Sequence, residues 1–170
     1  LLREVPFGAD GLYTGEALLT RTNSDLANDL GNLVSRTAAM IVKYFDGTVP
    51  SDYAATAFDA EVEEQGAALH AQVEAHMDAL RLPDALADIW SYISTLNKYI
   101  DLTTPWVLAK DDAQRPRLAS VMAHLAEGLR IVSVLLTAFL PDTAQRIQRI
   151  LGITDAAQTS WESIAAFGKS

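Results

Sequence analysis

The sequence has no cysteine. Disulfides, thiolate nucleophiles and cysteine-based zinc sites are therefore excluded, and the composition fits a reducing compartment. No run approaches the ~20 consecutive apolar residues that a membrane-spanning helix needs, so no membrane partner is expected. The chain opens on LLREVPFG, with neither an initiating Met nor a basic, apolar, small-residue leader pattern; this leads us to expect a piece of a longer protein. Histidine is scarce. His70 and His76 are six residues apart and diverge around a helix, and His70 with Glu74 supplies two ligands, short of a cage. There are no paired Glu-x-x-His motifs of a di-iron bundle, no glycine-rich phosphate loop, no G-x-S-x-G elbow and no H-E-x-x-H. Strand-type alternation and internal repeats are also missing. Neither a metal site nor a catalytic centre is expected in these residues.

What is present is a chain of 170 residues, 49% hydrophobic and 21% charged. That is enough for one domain with a sizeable core. The net charge of −9 argues at first against nucleic acid, which wants cations. Its distribution argues otherwise. From Asp46 to Asp88 ten acids stand against one base, Arg81, while the rest of the chain is balanced. The acidity belongs to one face, the EVEE run at Glu61 to Glu64 being a solvated part of it, and a neutral or basic face is left elsewhere.

Helical periodicity dominates. Residues 1–15 are turn-rich and are expected to be a connector; residues 16–170 are expected to form an all-α bundle of about five main helices. A short helix covers Glu16 to Thr22, and Asn23 or Ser24 caps a central helix to Phe45, ended by Asp46-Gly47. A second runs from Ala55 to Leu80 on the stripe Phe58, Val62, Leu69, Val73, Met77 and Leu80. A third, from Ala85 to Asp101, follows the Leu82-Pro83-Asp84 turn. Thr104-Pro105 opens a new short turn. After a polar loop at Asp111 to Pro116, a strongly apolar helix runs from Leu118 to Phe139, and another from Asp142 or Thr143 to Leu151. A loose tail with Trp161 and Phe167 completes the chain.

Two stretches carry chemistry. On the central helix Asn28, Asn32, Arg36 and Lys43 project opposite the apolar stripe. Forked amides and guanidinium groups suit the flat polar edges of nucleobases, although the same pattern suits a plain solvated face. In NKYIDLTTPWVLAK, Asn97 falls close to the apolar stripe and Asp101 is one turn on, placed to accept from a cation or an amide. Trp106 follows the rigid Thr-Pro cap, either wedged into the core or offering its face to a stacked base. Lys98, Lys110, Arg115 and Arg117 supply cations nearby.

Together with LAEGLRIVSVLLTAFLPDTAQRI, the segments NSDLANDLGNLVSR and NKYIDLTTPWVLAK strongly resemble the anticodon-binding domain of bacterial methionyl-tRNA synthetase, a class I aminoacyl-tRNA synthetase. LLREVPFG resembles the passage out of that family's stem-contact region. The resemblance implies a helical bundle that recognises the CAU anticodon of methionine tRNA. Carried over by motif, Trp106 would stack on the first anticodon base, and Asn32 and Arg36 would hydrogen-bond base edges. Pro105 would hold the tryptophan, and Asn97 and Asp101 would support or join the surface, in keeping with recognition of splayed single-stranded RNA bases. The HIGH and KMSKS signatures are absent, so no cofactor is expected here. ATP, magnesium and, in some members, zinc would serve the catalytic region of the full-length cytoplasmic ligase, the expected partner of this chain. Two alternatives stand beside this: a protein-interaction bundle using its acidic face, and the anticodon domain of a related class I synthetase.

Overall fold

The computed structural model describes residues 2, 3, 5, 8, 14–51, 56 and 58–168. Among them there is no strand, in agreement with the all-α expectation. Much of the expected connector, and the expected helix start at Ala55, lie outside the described residues.

The first departure from expectation is at Asn23 and Ser24, which cap nothing. Helix α1 (Gly15–Arg21) passes through a π-wound stretch, Thr22–Gly31, directly into α2 (Asn32–Phe45). Two side chains of a later helix explain the loosened winding: Trp90 Nε1 donates to the Asp25 carbonyl at 3.3 Å, and Asn97 Nδ2 to the Asp29 carbonyl at 3.2 Å. Donors reaching into a helical ladder from outside are a recognised cause of such local unwinding. At the far end Asp46 takes the left-handed conformation and donates its N–H to Ile41, closing α2 where Asp-Gly was expected to.

Helix α3 (Ala60–Asp78) is joined by a tight turn to α4 (Leu82–Thr103). Tyr99, near the end of α4, bonds to Asp59 just before α3, and His76 at the end of α3 lies 3.1 Å from Asp88 near the start of α4, so the two run antiparallel. Two positions assigned to the α3 stripe are corrected. Phe58 precedes the helix and is 68% exposed, and Leu80, 56% exposed with φ of +55°, forms the turn instead of closing the stripe.

One-turn α5 (Pro105–Leu108) leads to α6 (Arg115–Leu136) and α7 (Pro141–Ile150), and Pro opens or nearly opens each of α4 to α7. From Leu118 to Leu136 every residue of α6 except Glu127 is buried. Contrary to the reading of the sequence, Asp112–Leu136 is long and apolar enough to cross a membrane by length and composition; its apolar window is 94% buried in the bundle, so that apolarity is spent on the core. Close approach to α6 depends on a glycine: a Cβ at Gly128 would stand 2.7 Å from a Leu96 methyl.

The tail is not loose. Turns at Ala156–Thr159 and Trp161–Ile164 fold back on α6, where Arg130 is buried. Its guanidinium pairs bidentately with Glu127 at 2.8 Å and donates to the carbonyls of Gln158 at 2.6 Å and Ser163 at 3.0 Å.

Candidate nucleic-acid interface

The polar face read from the central helix is present. Asn28, Asn32 and Lys43 are exposed and Arg36 is partly so, while Leu33, Val34, Thr37 and Ile41 anchor the opposite side. Arg36 reaches across to α4, its Nη2 3.2 Å from Asp101 Oδ1, with the Arg36 side chain 33% and the Asp101 side chain 67% exposed. Asp101 thus accepts from a cation as its position near the helix end implied. In so open a place such a pair contributes little to stability, and its guanidinium has donors to spare.

Asn97 sits one turn earlier on α4 and has a different task. Its Nδ2 donates to Asp29, in the π-wound turn just before Asn32, and to Ile93 of its own helix at 3.3 Å. Its amide hydrogens are used to hold the base of α2 against α4.

Helix α4 ends in a reversal. Thr104 has φ of +42° and ψ of 59°, a conformation that costs a β-branched residue on the order of 1–3 kcal/mol. Pro105 then starts α5 and is buried, and Leu108 packs against the core. Between them Trp106 is 43% exposed and Val107 also faces out. The core-wedge alternative for Trp106 is therefore overturned. A short turn pinned at both ends presents a large aromatic to solvent, five residues past Asp101.

The cations are sorted by the structure. Lys98, Lys110 and Arg115 are exposed, and Arg115 lies over the Phe45 ring at 4.9 Å and donates to the Tyr44 carbonyl at 3.4 Å, so the start of α6 meets the end of α2. Arg117 is corrected: its charge is already paired inside the bundle, so it is not one of the free cations. Its Nη1 is bound to both oxygens of the buried Asp59, at 2.7 and 2.9 Å.

Asp59 is a residue that pattern reasoning missed. It also accepts from the Tyr99 hydroxyl, from Ser120 Oγ at 3.1 Å and from the Thr56 amide at 2.6 Å. Burial alone pushes its carboxyl up; the hydrogen bonds from Tyr99, Thr56 and Arg117, with the nearby His124, outweigh it and bring the pKa down to about 2. Burial and the adjoining carboxylate push the Tyr99 hydroxyl well above the ordinary phenol range, so it remains a donor. The network continues to His124, whose Nε2 lies 2.8 Å from Glu63. Glu63, its side chain still 44% exposed, keeps to the solvated face read from the acidic run while one of its oxygens reaches the buried His124.

A family model for the anticodon binding domain of methionyl tRNA ligase matches residues 49–167. The chain belongs to that family. Methionine–tRNA ligase of Caldanaerobacter subterraneus subsp. tengcongensis is 51% identical to this anticodon-binding domain over 164 residues, 96% of the chain and 26% of that protein. The Bacillus subtilis enzyme of the same name is 51% identical over 170 residues, 99% of the chain and 26% of that protein. The crystal structure of Mycobacterium tuberculosis methionyl-tRNA synthetase bound by methionyl-adenylate matches with a TM-score of 0.90 at 34% identity, covering 99% of this chain and 35% of that one. The anticodon-binding domain therefore spans about a quarter of the length of the curated relatives it matches.

Proposed function

We propose that this domain reads the CAU anticodon of methionine tRNA on the face formed by α2, the end of α4 and α5. The observation that carries the proposal is Trp106: half-exposed, on a turn anchored by Pro105 and Leu108, and just past the Asp101 that holds Arg36. In this reading Trp106 stacks on the first anticodon base, and Asn32 and Arg36 hydrogen-bond the polar edges of the anticodon bases. Asp101 orients Arg36, Pro105 fixes the tryptophan, and Asn97 sets the spacing of α2 and α4. Exposed Lys98, Lys110 and Arg115 attend the phosphates.

As part of a longer chain, the domain would present tRNA to a catalytic region that attaches methionine using ATP. That region would also hold the magnesium and, where present, the zinc. We place the activity in the cytoplasm, where tRNA is charged.

Replacing Trp106 with alanine is expected to weaken binding of a CAU anticodon stem-loop by ~1–3 kcal/mol, the contribution of one stacked base. Fluorescence anisotropy at low salt measures it. Unchanged affinity would remove Trp106 from the site.

A further inference from the structure

We propose that Asp59 is a positioning residue for anticodon reading: its carboxylate locks the last turns of α4 to the first turn of α6, and so sets where Trp106 stands relative to Arg36. The inference rests on the anticodon reading above. Asp59 lies before α3, on the core side of the bundle, and touches none of the residues assigned to bases. What it holds is the frame beneath them.

Three elements meet on this one side chain. Tyr99, on α4, lies midway in sequence between Asn97 and Asp101, and its hydroxyl donates to Asp59. Its carbonyl accepts the Thr103 hydroxyl at 2.7 Å, one residue before the left-handed Thr104. Arg117 and Ser120, in the opening turns of α6, bind the same carboxylate, and Arg117 also lies 6.0 Å from the Tyr99 ring centroid. Helix α5 bridges α4 and α6 and packs on α6. A shift of either support therefore moves Trp106. The carboxylate accepts on both oxygens from donors of four residues, Thr56, Tyr99, Arg117 and Ser120, which fills the capacity of an ionised carboxylate, so its geometry is over-determined.

Stability alone is a poor reason for this arrangement. A buried ion pair commonly gains nothing over well-packed apolar residues, and here Arg117 Nη2 is left buried without a partner. Such a pair does fix the orientation of the groups it joins, and the groups joined here are the two supports of the tryptophan turn.

The test compares the chain with its Asp59→Asn and Tyr99→Phe variants, and with Val73→Ala, a core truncation elsewhere on α3. Each is titrated with a CAU stem-loop and with one changed at the first anticodon base, and each thermal midpoint is recorded. The preference for CAU is expected to fall on the order of tenfold in Asp59→Asn and Tyr99→Phe, within what one base read at its edge supplies, because Trp106 no longer holds that base in register with Arg36. Val73→Ala is expected to lose midpoint while keeping the preference. Retained preference in Tyr99→Phe and Asp59→Asn, or equal loss of affinity for both stem-loops, would overturn the positioning role. If Asp59→Asn does not fold, Tyr99→Phe decides alone. A parent chain without preference for CAU overturns the anticodon reading instead, an outcome distinct from failure of the variants.

Discussion

Exchanging Arg130 for methionine is expected to cost about 3–5 kcal/mol of unfolding free energy, the range found when one partner of a buried ion pair is removed. The methionine stem keeps much of the volume, so the loss is electrostatic. Glu127 would keep its charge with its side chain only 10% exposed, and the carbonyls of Gln158 and Ser163 would lose their donor. The tail turns carrying Trp161 and Ile164 are held to α6 through those carbonyls, so part of the cost is their release. The double variant Arg130→Met, Glu127→Leu should recover only part of the loss, since the tail carbonyls remain unpaired. Urea unfolding of the three chains measures this. A single variant within about 1 kcal/mol of the parent, well below that range, would mean that the pair and the tail are not coupled as described.

The second large effect is a pH dependence specific to Asp59. Its folded pKa of about 2 lies below the ordinary carboxyl value of 3.8, so the ionised form favours the fold. That contribution, on the order of 2 kcal/mol, is complete above about pH 5 and is lost as pH falls towards 2. The stability gap between the parent and Asp59→Asn should therefore be widest near neutrality and shrink by roughly that amount in acid. Taking the difference removes the titration of the other carboxylates. A gap that stays constant from pH 7 to pH 3 would show that the Asp59 carboxylate is not held ionised by Tyr99, Thr56 and Arg117.

Much of this architecture was legible in the sequence because it is local. The stripe Leu86, Ile89, Trp90, Ile93, Leu96 and Ile100 needs only a helical period, and those side chains are buried as expected. Thr104-Pro105 announced the turn under Trp106 through proline's own backbone restriction. What was not legible depends on partners far along the chain. The π-wound stretch is drawn open by Trp90 and Asn97, some 65 residues away, and no local propensity reports it. Arg117 read as a free cation because its partner, Asp59, is 58 residues earlier. Phe58 continues the helical period in the sequence but stands before Ala60, where α3 begins, so the period does not carry it into the core. The tail looked loose because its anchor is the side chain of Arg130 on another helix. Asp59 itself carried one usable signal, an acidic residue directly before a helix, the usual position of a cap; here the side chain turns inward instead.

The central claim, that this domain reads bases and does not merely feel phosphates, is met most directly by one titration. A fluorescent CAU anticodon stem-loop is added at low salt beside an otherwise identical stem-loop with the first anticodon base changed. The account predicts clear preference for CAU, by the ~1–3 kcal/mol of discrimination that hydrogen bonds to a base edge supply. Equal affinity for the two would contradict it and leave Asn32, Arg36 and Trp106 without a role in reading the anticodon.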